Sequence, residues 1–422
     1  MVKIRSWGLV NNISQQTTIF NNQINNLKDK NNIPYGNGRS YGDSCLSDNH
    51  LIKKSKFLKL NQKSGILECS SNITLYEALS EIVPKGWIFY VCPGTSFATI
   101  GGMISADAHG KNHEKYGSFT DHVQEFTLIL PKKKYVICSK NKNAELFHAT
   151  CGGLGLTGFI TSCKIKLKKI KTTSIRSNTI KIFKLKNLLD KFNEDNNEFK
   201  VAWIDGLNLS NNYKIIYESA NFYEKSNILI HKKIKQFQIK FFPTSLLNTF
   251  FIKIFNWLYF NFKKEGSKIY HIYDFLFNLD KIKNWNKFYG DEGFLQYQFV
   301  VPNKNSYLVI NKFFKYLENQ SLESYLIVIK KFGRKNMNYL SFPLQGFTVS
   351  LDLKMNLKNK QFINNFQKSI NKYGAHVYLV KDSSLNKEVF KDSYDLHKFK
   401  KVRKKYKLDN YFNSFQSLRL DL

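Results

Sequence analysis

The apolar positions of the chain follow two rhythms. Runs rich in β-branched and aromatic residues at 126–130, 135–138 and 159–167 read as strands, and glycine-rich turns separate them. Eleven of the 22 glycines fall in three turns: Gly36, Gly38 and Gly42; Gly94, Gly101, Gly102 and Gly110; Gly152, Gly153, Gly155 and Gly158. Residues 1–171 therefore predict a mixed α/β unit whose turns carry the function. From Thr172 glycine thins out, and aromatic strands (293–301, 347–353) alternate with Lys/Asn-rich helices such as one through 188–192, which predicts a second unit over 172–375. A closing segment, 376–422, opens on an apolar strand at 377–380, meets Lys381-Asp382-Ser383 and continues into a basic helix through Arg403.

One helical pattern stands apart. Leu247, Phe250, Phe251, Ile254, Phe255 and Leu258 recur at i, i+3, i+4, i+7, i+8 and i+11, with Asn248, Lys253 and Asn256 off the stripe. It is too interrupted to span a bilayer, which needs ~20 mostly apolar residues. Lysines on both sides (Lys232, Lys233, Lys235 and Lys240; Lys263 and Lys264), with Trp257 and Tyr259, suit a helix lying on an anionic membrane surface. A helix that turns this stripe to the core has the same period, and both readings stand at this point.

Composition narrows the class. With 422 residues, 42% hydrophobic and 15% aromatic, the chain exceeds the ~150 residues of one domain and can bury a large core, which excludes a disordered tail or minimal module. Lys+Arg 65 against Asp+Glu 32 gives a net charge of +33, which attracts phosphates, nucleic acid or anionic lipid. The excess is nearly all lysine, spread evenly and without a recognition motif, so no nucleic-acid partner is expected. Cys45, Cys69, Cys92, Cys138, Cys151 and Cys163 form no C-x-x-C pair, which predicts reduced thiols in a cytoplasmic chain. No apolar run follows Lys3 and Arg5, so a cleaved secretion signal is not expected.

Candidate chemistry concentrates in the glycine turns. Pro34, Tyr35, Gly36, Asn37, Gly38, Arg39, Ser40, Tyr41, Gly42, Asp43 and Ser44 place three glycines around an arginine, where backbone N–H groups can close on a pyrophosphate without Cβ obstruction. The spacing is neither a Walker loop nor the Rossmann G-x-G-x-x-G. In the second run, 92–112, small residues let a flat ligand approach the backbone, and His109 and Lys111 end it as polar groups. His109 and His113 have the i, i+4 spacing of zinc ligands, but Gly110 disfavours a helix and the glutamate of H-E-x-x-H is missing, so no metal site is expected.

Taken in order, the turn 38–43, the run from Pro93-Gly94-Thr95 to Gly101-Gly102, His109-Gly110-Lys111-Asn112-His113 and the segment 145–158 resemble the FAD-linked oxidases of the vanillyl-alcohol oxidase type, with their PCMH-type FAD-binding domain. Residues 293–300, 330–333, 340–343 and 378–383 extend the resemblance, closest to the polyprenylphosphoryl-sugar oxidases of that group, over nearly the whole chain. It implies an α+β fold: a two-part FAD-binding domain, 1–171 with the returning segment 376–422, and an inserted substrate domain, 172–375, built on an antiparallel sheet. It also implies that residues 34–44, Gly94, Thr99, Ile100, Gly101, Gly102, Ala106, Asp107, Ala108, His109, Ile160 and Tyr378 contact FAD. Lys381 would be the catalytic base or alcohol-orienting group, with Tyr41, Lys111, Gln296, Gln298 and Lys330 lining the substrate pocket.

Physical chemistry accommodates these roles. Hydride loss from a secondary alcohol requires an acceptor for the hydroxyl proton, and a lysine serves when burial and neighbouring cations such as Lys111 and Lys330 lower its pKa. The expected activity is oxidation of a sugar hydroxyl, with a polyprenyl-phosphate-linked sugar as substrate, as the first half of an epimerisation completed by a short-chain dehydrogenase in cell-envelope glycan synthesis. The expected location is the cytoplasm, with peripheral contact at the inner face of the cell membrane. A soluble sugar or alditol oxidised at the expense of oxygen, and a basic membrane- or nucleic-acid-binding protein on a retired flavin fold, are the alternatives. The turn 38–43 has neither His nor Cys to tether flavin, so FAD is expected to be non-covalent. Two positions depart from the family pattern: Phe275-Leu276-Phe277-Asn278-Leu279-Asp280 lacks a Tyr and a Pro, and Thr348 and Ser350 replace Asn and Cys.

Overall fold

The computed structural model describes residues 4–10, 16–20, 30–207, 209, 213–225, 229–238, 249–290, 292–320, 324 and 326–422. The first strands, β1 (Gln16–Phe20), β2 (Asn32–Pro34) and β3 (Asn49–Lys53), form a small parallel sheet in the order β1-β3-β2. A second sheet follows from β4 (Leu58–Asn61), β5 (Ile66–Ser70), β6 (Trp87–Phe89), β7 (Val123–Leu130), β8 (Lys134–Ser139) and β9 (Phe159–Lys169), in the order β4-β5-β9-β7-β8 with β6 also on β9. Cys163, Ile165 and Leu167 of β9 are buried at alternate positions, the period expected where one sheet face meets the core. The helix Leu75–Ile82 packs there through Leu75, Ala78, Leu79 and Ile82, and a Thr74–Glu77 capping box fixes its start.

From Ser174 onward the chain builds one large antiparallel sheet. Among the described residues it has eight strands: β10 (Ser174–Ile182), β11 (Phe199–Ile204), β12 (Ile215–Phe222), β14 (Gly266–His271), β16 (Phe294–Pro302), β17 (Ile327–Phe332), β18 (Gly346–Lys354) and β19 (His376–Val377). Their order is β14-β10-β12-β11-β17-β18-β16-β19, and the short β13 (Phe237–Gln238) and β15 (Ile282–Lys283) pair separately. On β16, β17 and β18 the odd-numbered Tyr297, Phe299, Ile329, Val349 and Leu351 are buried in the core. There Phe299 and Phe366 pack against Phe313 with ring centres 5.0 and 4.9 Å away. Strand alternation turns Gln296, Gln298, Lys330, Ser350 and Asp352 to the opposite face.

The closing segment differs from expectation in one respect. Only His376–Val377 is strand; Lys381 N–H then donates to the Tyr378 carbonyl (2.9 Å) and Asp382 N–H to that of Leu379 (3.2 Å), so 378–382 form a turn. Gly42 meets this turn so closely that a Cβ there would lie 1.7 Å from the Asp382 carbonyl oxygen. The chain continues through the basic helix His397–Lys405 and returns to the first sheet, where Asn32 N–H donates to Tyr411 (2.8 Å) and Phe415 N–H to Leu46 (2.8 Å). Arg419 joins both ends by donating to Asp43 (2.8 Å) and Asp382 (3.0 Å).

The apolar stripe does not face the core. In the helix Thr249–Phe262 the buried line is Ile252, Asn256 and Phe260, at i, i+4 and i+8, while Phe250, Phe251, Ile254, Phe255 and Leu258 are exposed, as are Trp257 and Phe262. Leu247, Asn248 and Lys240 lie outside the described residues. Asn256, off the stripe, is drawn inward because its side-chain amide donates to Asp205 (2.6 Å). Among the described residues no helix is long and apolar enough to cross a membrane.

Candidate active site

A cavity of about 1040 Å³ runs between the glycine turns and the polar face of the large sheet. Its wall includes Pro34 to Tyr41, Ser44, Gly94, Thr99, Gly101, Gly102, Ala106, Ala108, His109, Ile160 and Tyr378 from the expected cofactor set, and Lys111, Gln296, Gln298, Lys330 and Lys381 from the expected substrate set. Residues far apart in sequence thus converge on one space. Four expected cofactor residues stand behind this wall. Gly42 packs on the 378–382 turn, Asp43 is held by Arg419, and Ile100 is fully buried in the core. Asp107 is enclosed by Thr120, Asn336 (2.7 Å) and Ser341 (2.5 Å), so its carboxylate is spent on internal bonds.

The first turn is shaped for close approach. Gly38 has φ +56°, and a Cβ there would lie 2.4 Å from the Tyr35 hydroxyl. Arg39 lies over the Trp7 ring (4.2 Å) and near Phe97 (5.5 Å), and its buried Nε has no partner. His109 has a second orphan. Thr348 gives its hydroxyl proton to the Phe299 carbonyl (2.9 Å), so the Gln298 amide must donate to Thr348 (3.1 Å) and to His109 Nε2 (3.2 Å). That network assigns the His109 proton to Nδ1, which is buried without an acceptor. Burial, then Lys330, His113 and Lys381, hold His109 well below its usual range, so the ring is neutral. Two unmet donors beside an obstruction-free glycine wall fit an acceptor-rich dinucleotide such as FAD.

The opposite wall carries the titratable groups. Lys381 Nζ lies 3.1 Å from the centre of the Tyr41 ring. Burial pushes the Lys381 ammonium well below its usual range, Asp352 pulls it back and Lys330 pushes it further down. Lys330 is lowered to about 8 by burial. Lys111 is lowered to about 7, again chiefly by burial; its ammonium donates to the Phe275 carbonyl and sits 4.0 Å from the Phe275 ring centre. The 275–280 segment therefore still borders the site without its Tyr and Pro, and Asp280 anchors it by accepting from Ser96 N–H and Oγ, both at 2.7 Å.

Sequence reasoning passed over Asp352. It pairs with Gln296 across β16 and β18, is 2% exposed and accepts from the Gln296 amide at 2.5 Å. The signal was present: Thr348, Ser350 and Asp352 continue one strand alternation. Among the described residues no cluster of His, Cys, Asp and Glu could hold a metal ion.

Comparison with known proteins agrees with this geometry. Residues 23–139 match a family model described as an FAD binding domain. The chain is 28% identical over 417 residues to decaprenylphosphoryl-beta-D-ribose oxidase of Mycolicibacterium smegmatis, a match that covers 92% of this chain and 89% of that protein. Shorter matches include human Delta(24)-sterol reductase (25% over 119 residues; 28% of this chain, 23% of that protein) and Arabidopsis thaliana cytokinin dehydrogenase 3 (34% over 87 residues; 21% and 16%). The chain is an FAD-dependent oxidoreductase acting on CH–OH groups, with an FAD-binding domain and a similarity to the mycobacterial oxidase that runs over nearly its whole length.

Proposed function

We propose that the chain oxidises a secondary hydroxyl of a sugar carried on a polyprenyl phosphate, the substrate class that the mycobacterial relative's name describes. The observation that carries this reading is Lys381, against Tyr41 of the first glycine turn on the cavity wall. Bound FAD would supply the acceptor for the hydride of the carbinol carbon. Residues 34–41 and the 99–109 run would hold it, with Arg39 and His109 supplying their unmet donors. The hydroxyl proton passes to Lys381 Nζ, whose ammonium form burial disfavours, and a carbonyl remains on the sugar. Tyr41, Gln296 and Gln298 orient the sugar. Lys111 and Lys330 have their charge weakened by burial, and an entering phosphate restores it.

FAD is non-covalent in this reading. Cys45 stands on the cavity wall, but burial pushes its thiol up to about 12 and leaves no thiolate to form a tether. The helix Thr249–Phe262 contributes Phe255 and Tyr259, and Lys263 directly after it, to the cavity wall, and its exposed aromatic face with nearby lysines suits the inner surface of the cell membrane, where a lipid-linked substrate resides. The keto product then suits a partner reductase of the short-chain dehydrogenase class, which completes an epimerisation in cell-envelope glycan synthesis.

Anaerobic flavin bleaching tests the reading. A short-chain polyprenylphosphoryl ribose should bleach the flavin of the purified protein, and acid precipitation should release FAD into the supernatant. Bleaching by free sugars or alditols but not by the lipid phosphate would replace this reading with a soluble-sugar oxidase.

A further inference from the structure

Asp352 is a carboxylate buried in the wall of a cavity rich in cations. Its position follows from strand register: Gln296 lies directly opposite it, and both side chains point to the cavity face. The Gln296 amide donates to Oδ1 at 2.5 Å, and the Tyr289 hydroxyl stands 3.5 Å from Oδ2. The Tyr289 ring stacks on Phe294 at 4.4 Å, Phe294 packs edge-on against Tyr41 at 5.4 Å, and the Tyr41 ring supports Lys381 Nζ at 3.1 Å. A continuous path of contacts therefore runs Asp352, Tyr289, Phe294, Tyr41, Lys381. The charged side chains borne by the surrounding elements are Asp352 on β18, Lys330 on β17, Lys111 at the end of the second glycine run, Arg39 in the first turn and Asp280, with neutral His109 and Tyr41 beside them.

We propose that Asp352 is a positioning residue that sets the basicity of Lys381 and holds its ammonium in place once the substrate proton has arrived. The inference rests on the proton-acceptor role assigned to Lys381 above. The step balances within that chemistry: the carbinol C–H leaves as hydride to the bound FAD, the O–H bond breaks, its proton forms the third N–H of Lys381, and a C=O remains. Lys381 then becomes an ammonium beside Lys330. A buried cation without a counter-charge is costly, and Asp352 supplies that charge without itself touching the substrate. Burial raises the Asp352 carboxyl to about 6 and the Gln296 bond and Lys381 oppose the rise, so above about 6 the counter-charge is present. Lys381 and Asp352 titrate as a linked pair.

Lys381 acylation by a small anhydride, followed by mass spectrometry across pH, reads its protonation with no substrate present. In Asp352→Asn the acylation midpoint should move down by about one unit or more, a tenfold change in protonation, and the acid limb of anaerobic flavin reduction should move with it. Asp352→Glu, which keeps the charge, should restore both. Gln296→Met, which frees the carboxylate and makes it easier to protonate, should move the midpoint in the same direction by less, and it serves if the Asn variant does not fold. An Asn midpoint unchanged within about 0.3 unit, or a Glu midpoint displaced as far as the Asn one, overturns the proposal. Should the wild-type holoenzyme oxidise no lipid-linked sugar, the functional reading falls, while the acylation midpoints still decide whether Asp352 governs Lys381.

Discussion

Lys381 Nζ and the Tyr41 ring meet at 3.1 Å although nearly the whole chain separates them. The contact joins the first glycine turn to the turn of the closing segment, and it directs the amine to the space between the two. In the proposed mechanism this amine takes the carbinol proton. Lys381→Met should keep FAD bound and lower the rate of anaerobic flavin reduction by ~10²- to 10⁴-fold, the usual contribution of a proton acceptor. Stopped-flow bleaching checks this, and near-normal reduction by the variant removes Lys381 from the mechanism.

Lys330 predicts a pH shift of defined sign. Its positive charge disfavours a second ammonium at Lys381, and burial, which lowers Lys330 to about 8, leaves it largely charged at neutral pH. Lys330→Gln removes that repulsion, so the Lys381 pKa rises and the acid limb of flavin reduction should move to higher pH. The effect should fade above about 8, where Lys330 is already neutral in the parent protein. A limb that moves to lower pH contradicts the electrostatic account.

Much of the site was legible in the sequence because its backbone requirements are local. The small residues of 34–41 and 94–109 announce a close backbone approach, and 22 of the 26 residues singled out as cofactor or substrate contacts line the cavity. What escaped was set by neighbours in space. Asp43 looked like part of the turn, but Arg419, 376 positions later, claims its carboxylate. Asp107 is likewise enclosed by Asn336 and Ser341. The facing of the helix Thr249–Phe262 could not be read from period alone, because Asp205 fixes the one amide that turns inward. Asp352 needed the register with Gln296 before its place in the site appeared.

Arg419 holds the closing segment against the first turn. It bridges Asp43 and Asp382, both buried, and neither carboxylate has another cation within salt-bridge distance among the described residues. Arg419→Met leaves two buried negative charges facing each other and should cost ~3 kcal/mol, at the lower end for a broken buried pair because the guanidinium keeps some solvent contact. The loss should loosen the 378–382 turn and with it the Lys381 amine. Urea unfolding and the bleaching rate should therefore fall together in this variant. A variant as stable as the parent would show that the clasp is dispensable.

The helix Thr249–Phe262 separates membrane docking from core packing. Phe250, Trp257 and Phe262 are 64, 54 and 74% exposed, whereas Phe260 on the inward line is 6% exposed. Replacing the three exposed residues together with serine removes apolar surface that the fold does not bury, so the melting temperature should hardly change, as for surface substitutions worth up to about 0.5 kcal/mol each. Phe260→Ser instead empties a packed position and should destabilise by ~3–5 kcal/mol. On the docking account the triple variant remains folded and FAD-loaded but no longer co-sediments with phosphatidylglycerol vesicles. Phosphatidylcholine vesicles should bind even the parent weakly, because each nearby lysine adds about 1 kcal/mol only at an anionic surface. Loss of the anchor should also raise KM for a lipid-linked substrate presented in vesicles and leave that for a short soluble analogue unchanged. Undiminished vesicle binding by the triple variant, or its unfolding, would return this helix to a purely structural role.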